Sequence, residues 1–176
     1  MKQILDDEER KLWFSKVKYF FEKPFRIKEN FLLSNNWAAV PYERGSFSIE
    51  LSASISKKLD LYSIEELIAI QVEEWNDKEL QIFKISNSQE DLMKAFVELV
   101  SFYYIIIPAK LDAVLFNSPS DYQVLAGSKN FVEDMLNKDI EIARKEFWEF
   151  ANDKFWQEID KNNFISVAKY YEKFNG

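Results

Sequence analysis

The chain has 176 residues, 47% of them apolar and 16% aromatic, with no histidine, no cysteine and a formal net charge of −7. Without histidine no side chain ordinarily titrates between about pH 5 and 8, and no Ser-His-Asp or Cys-His arrangement can form; without cysteine there is no thiolate nucleophile, disulfide or thiolate metal site. The acidic balance disfavours DNA, RNA and anionic membranes, because phosphate neutralisation dominates nucleic-acid affinity, and it favours a basic partner.

The length fits one domain spanning residues 1–176, and with three glycines and four prolines no flexible linker is expected. Met1 to Leu5 runs straight into Asp6-Asp7-Glu8-Glu9, so the start lacks the apolar stretch of a signal peptide. The longest apolar run, Phe102 to Ala109, is far short of the roughly 20 residues that span a bilayer. With no disulfide to form, a cytoplasmic location is expected.

Residues 6–23 predict an amphipathic helix, with Trp13, Val17, Phe20 and Phe21 on one face, acidic residues at its start, lysines near its end and Pro24 to stop it. Trp37 to Tyr42 predicts a strand, with Pro41 near its end or on a sheet edge. After the turn Glu43-Arg44-Gly45, Phe47, Ile49, Leu51, Ala53 and Ile55 alternate with serines and Glu50, which predicts a half-buried strand over 46–55. Residues 63–85 carry two signals. Ser63-Ile64-Glu65-Glu66 is a helix-capping pattern, whereas the β-branched alternation of Ile68, Ile70 and Val72 around Asn76-Asp77-Lys78 favours a hairpin of 67–75 with 79–85.

Ser88 with Asp91 opens a helix over about 88–104, with Leu92, Ala95, Phe96, Leu99 and Val100 as its buried stripe, and Pro108 breaks the chain beyond it. Leu111 to Phe116 and Tyr122 to Ala126 predict two strands joined by the turn Asn117-Ser118-Pro119-Ser120-Asp121. Gly127 ends the second, and Ser128 caps a short helix. Asp139 starts a helix in which Ile142, Ala143, Phe147, Phe150 and Ala151 share a face with Trp148 just beside it, and a last helix over about 162–174 carries Phe164, Val167, Ala168 and Tyr171. The sum is an α+β domain: an antiparallel sheet with helices on one face and a helical C-terminus.

The acid–base equipment is limited to carboxylate pairs: Glu65/Glu66, Glu73/Glu74, Asp6 to Glu9 and Glu146/Glu149. Each also reads as a solvated helix or strand face, and no spacing selects one for glycosidase-like chemistry. Asn117 to Asp121 has oxygen ligands but not the spacing of a calcium loop. Gly45 and Gly127 stand alone, so no glycine-rich phosphate loop exists, and no G-x-S-x-G occurs. The aromatic residues exceed what narrow helix faces can bury, so some are exposed or meet a second layer; core packing is the default for most, and an exposed excess would mark a protein-binding surface or a homodimer contact.

Ala113-Val114-Leu115-Phe116, Asp121-Tyr122 and Leu125-Ala126-Gly127, followed by Phe131-Val132-Glu133 and Asp139-Ile140 with Ala143 and Phe147, give strand, turn, strand, then helices. That layout resembles the C-terminal part of small acidic bacterial immunity-type proteins. The resemblance implies a cytoplasmic, non-enzymatic inhibitor that binds a toxin domain; it covers about a third of the chain and transfers no binding residue. The expectation is therefore a protein-interaction module without catalytic residues, cofactor or metal, facing a basic toxin or nuclease. Glu73, Glu74, Trp75 and Asp77, acidic residues around an aromatic, are the candidate partner-binding segment. A carboxylate enzyme and a binder with an aromatic-lined pocket between sheet and helices are the alternatives.

Overall fold

The computed structural model describes residues 1–23, 25–45, 48–72 and 81–176. In chain order the elements are β1 (Lys2–Gln3), α1 (Asp7–Phe20), β2 (Phe21–Glu22), β3 (Arg26–Ile27), α2 (Glu29–Ser34), β4 (Ala38–Glu43), α3 (Ile49–Leu61) and β5 (Glu66–Gln71). There follow β6 (Ile82–Ser86), α4 (Gln89–Leu99), β7 (Tyr104–Pro108), β8 (Ala113–Asn117), β9 (Tyr122–Gly127), α5 (Lys129–Leu136), α6 (Ile140–Ala151) and α7 (Glu158–Tyr171). This is the expected α+β class with a helical C-terminus.

One sheet runs in the order β1-β6-β5-β7-β8-β9-β4, and every pairing in it is antiparallel. The β8–β9 hairpin forms as the turn residues dictate, with Asn117 opposite Gln123 and Asp121 in the left-handed region at φ +65°. The β5–β6 pair settles the ambiguity at 63–85 in favour of two strands; Ser63, at φ +53°, caps no helix. The β4 strand lies at the edge, where Pro41 removes no ladder donor that a further strand needs. Its outer side is covered by the C-terminal tail: the Ala39 N–H donates to the Phe174 carbonyl at 3.1 Å.

Three expectations change. The expected strand over 46–55 is not found in its described part, 48–55, because Ile49–Leu61 is helical and Ser48 caps it by accepting from the Leu51 N–H at 3.1 Å; residues 46 and 47 lie outside the described residues. The inward stripe is Ser52, Ile55 and Leu59, spaced three and four apart, while Ile49 and Leu51 are 58% and 41% exposed. Serines placed between apolar residues satisfy both periods, and the cap decides. The helix begun at Ser88 ends at Leu99, well before 104, and Tyr104–Pro108 is a central strand buried on both faces. An apolar run with no alternation is what such a strand requires.

The helices also cover both faces of the sheet rather than one. Ile68, Ile70, Ile105, Ile107, Val114 and Phe116 pack with α1, α2, α7 and the C-terminal part of α6. Their neighbours Leu67, Ala69, Tyr104, Ile106 and Ala113 pack with α3, α4, α5 and the start of α6. Consecutive strand residues point to opposite faces, so each strand feeds both cores. The first face is densely aromatic: Phe116 meets Phe21 with ring centroids 5.2 Å apart, and Tyr122 meets Phe164 at 6.0 Å.

Candidate functional site

The second face is packed differently. Helix α3 rests chiefly on α4 and α5 rather than on the strands. Its C-terminal half is pinned: Lys58 Nζ donates to the Met135 carbonyl at 3.1 Å, and the Tyr62 ring meets Phe131 edge-on at 4.9 Å. The Tyr62 hydroxyl bonds to Asp134, and Asn87 Nδ2 reaches Ser56 O at 3.2 Å and Asp60 Oδ1 at 2.8 Å. Among the described residues the N-terminal half has no comparable set of side-chain ties to its neighbours, and it carries the exposed Ile49 and Leu51.

Between this helix and the sheet lies a partly enclosed space of about 430 Å³. Leu51, Ile55 and Leu59 of α3 form its roof, and Ile106, Leu115 and Leu125 form its floor. The volume is within the range of small-molecule pockets, about 300–1,000 Å³. Gly45, Leu51, Val100 and Asp121 are the exposed members of the wall and mark its rim.

One end of the floor is polar because of strand register. Tyr42 of β4 stands opposite Gln123 of β9, Gln123 opposite Asn117 of β8, Asn117 opposite Tyr104 of β7, and Tyr104 opposite Gln71 of β5. Paired residues share a face, so these five side chains form a row across the sheet on the pocket side. Gln123 Nε2 donates to Asn117 Oδ1 at 3.0 Å, and Asn117 Nδ2 donates to the Phe102 carbonyl at 3.1 Å. Tyr42 and Gln123 reach the pocket wall. Tyr104 is buried behind them, and its hydroxyl has no hydrogen-bond partner among the described residues.

Every group in this row is uncharged. Burial raises the Tyr104 hydroxyl above its ordinary pKa and outweighs the lowering effects of Arg44 and Gln123 nearby. Tyr42 faces the pocket yet is surrounded by protein, so burial again raises its pKa, with Tyr104 adding to the effect.

The wall's charged residues are Arg44 and Asp121, both at the rim, among the described residues. They neutralise each other at 2.7 Å. The Arg44 guanidinium also donates to Val100 O at 3.0 Å and Ser118 O at 3.3 Å, which ties the end of β4 to the end of α4 and to the β8–β9 turn.

Glu73, Glu74, Trp75 and Asp77 lie outside the described residues. Of the other candidate carboxylates, Glu65 and Glu66 are exposed, and the rest pair or cap within the scaffold. Asp6 accepts from the Glu9 N–H at 2.8 Å, Glu8 pairs with Lys11 and Glu9 with Lys84, each at 2.8 Å, and Glu146 pairs with Lys138 at 2.6 Å. Among the described residues no group of three or more carboxylates converges to hold a metal ion, and no helix is long and apolar enough to cross a membrane. Comparison with protein-family models, curated proteins and solved structures finds no match to the chain.

The sequence reading missed Tyr42, Tyr104 and Gln123 as a set and placed Asn117 in a turn. The available signal was small. Asn117 and Gln123 are polar residues that flank the hairpin turn at equal distances from its centre, where apolar residues fill the rest of both strands.

Proposed function

We propose that this protein binds a small, largely apolar molecule between α3 and the sheet, as a binding module rather than an enzyme. The observation that carries the reading is the apolar space of about 430 Å³ under a helix fastened at one end. The space is lined mainly by apolar side chains and opens at its rim, whereas the opposite face of the sheet is filled with aromatic rings.

The test uses a neutral polarity-sensitive dye, N-phenyl-1-naphthylamine, whose fluorescence rises in apolar surroundings. Wild-type protein should bind it saturably. Leu115→Trp on the floor and, independently, Ile55→Phe on the roof should abolish the signal while keeping a cooperative melt. Unchanged dye binding in both folded variants would refute the site.

A second reading, an inhibitor that captures a basic protein, keeps the net charge of −7 and one local observation. The acidic first turn of α1 exposes Asp7 and Glu8 between the exposed Leu5 and Leu12. Reversing Asp7 and Glu8 to lysine should abolish salt-sensitive capture of a basic partner; capture at equal strength would remove α1 from that reading.

A further inference from the structure

We infer that the pocket selects ligands whose polar end is uncharged — an alcohol, ketone, ester or amide on an apolar body — over the carboxylate or ammonium of the same length. This rests on the pocket reading above and deepens it.

Three observations support the neutral class. The uncharged polar residues of the interior wall are Tyr42 and Gln123, with Asn117 and Tyr104 next in the same row. Gln123 gives one N–H to Asn117 and lies beside the Tyr104 hydroxyl, and its amide carries both donor and acceptor atoms without a charge. It can therefore either donate to a ligand oxygen or accept from a hydroxyl.

The charges on the wall are already matched. Arg44 sits 2.7 Å from Asp121 and spends further donors on Val100 O and Ser118 O. An entering carboxylate would have to displace Asp121 or stay unpaired away from water, and a buried unpaired charge is strongly unfavourable. An ammonium meets the same obstacle, because Asp121 already faces a guanidinium. A hydroxyl or carbonyl needs one hydrogen bond, which the row supplies.

Displacement of N-phenyl-1-naphthylamine from the intact protein at pH 7.5 tests this, using 1-decanol, decanoate and decylammonium. The result expected is at least a tenfold preference for decanol over either ion. Head-group hydration alone favours the alcohol, so a second arm isolates the protein's part. Asp121→Asn, a residue that tolerates the left-handed backbone at this position, frees the Arg44 charge and should narrow the decanol-to-decanoate ratio by about tenfold. Decanoate binding as tightly as decanol to wild type would overturn the neutral class and leave the pocket standing. A ratio unmoved by Asp121→Asn would overturn charge matching as its cause. Dye that does not bind wild type at all would overturn the pocket itself.

Discussion

Replacing Tyr104 by Phe removes one hydroxyl and keeps the ring. The ring is fully buried, packs edge-on to Phe96 at 6.5 Å and lies in the central strand β7. The hydroxyl is buried with no hydrogen-bond partner among the described residues. A buried unsatisfied polar group costs about 1–3 kcal/mol, so Tyr104→Phe should stabilise the protein by about that amount. For a chain of this length the melting temperature should rise by about 2–4 °C per kcal/mol.

A second readout comes from alkaline pH. Burial is the leading cause that raises the hydroxyls of Tyr104, Tyr122 and Tyr171, Tyr122 to about 12. The unfolded chain loses these protons near pH 10 while the folded chain keeps them, so their stabilisation is complete below about pH 10 and is lost as pH rises towards the folded values. Tyr42, Tyr62 and Tyr170 are raised by burial as well, and each fully buried tyrosine contributes a fall of up to about 1.4 kcal/mol per pH unit above pH 10. Tyr104→Phe should make the total fall shallower by up to about 1.4 kcal/mol per pH unit. Urea denaturation at pH 7.5 and between pH 9.5 and 11.5 measures both quantities. A variant less stable than wild type at pH 7.5, with an unchanged alkaline slope, would refute the reasoning, because the hydroxyl would then be bonded and ionisable in the fold.

Arg144 fans across the C-terminal tail, its Nη2 donating to Ala39 O at 3.2 Å, Tyr171 O at 3.1 Å and Phe174 O at 2.5 Å while Nη1 bonds to Asn175. Lysine cannot reproduce that planar fan, so Arg144→Lys should cost about 3 kcal/mol in urea denaturation and expose residues 172–176 to carboxypeptidase. Ala53→Pro should cost about 3 kcal/mol or more and lower the helical circular dichroism, because residue 53 lies inside α3; a change under about 1 kcal/mol with unchanged circular dichroism would contradict the helix. Arg44→Ala removes two bonds to carbonyls at the pocket rim and should cost about 1–2 kcal/mol by thermal melting, with little from Asp121, whose side chain is more than half exposed.

Elements with a single clear period were legible from sequence. The stripe of Trp13, Val17 and Phe20, the hairpin around Ser118 to Asp121 and the Ser88 and Ser128 caps all fold as their chemistry dictates. The strand expected over 46–55 gives way to the helix from Ile49 because serine supports strand alternation and helix capping alike, and the bond from the Leu51 N–H to Ser48 marks the cap. Tyr104 to Pro108 and the two-faced sheet escaped notice because an apolar run with no alternation names no face. The short α2 shows too few turns for a stripe. The polar row was invisible for a different reason. Residues 42, 104, 117 and 123 become neighbours through the register of four strands, and β4 finds its partner about eighty residues later in the chain, at β9. Periodicity within a segment carries no information about register between segments.

The most direct test of the account is methyl-resolved nuclear magnetic resonance of the protein titrated with 1-decanol. The sheet has two cores on opposite faces, so it carries its own control. The account predicts saturable shifts at Ile55, Leu115 and Leu125, which line the pocket, with Ile68, Ile70 and Ile107 on the far face unmoved. Shifts spread equally over both faces, or none at Ile55 and Leu115 at saturation of the aqueous alcohol, would contradict it.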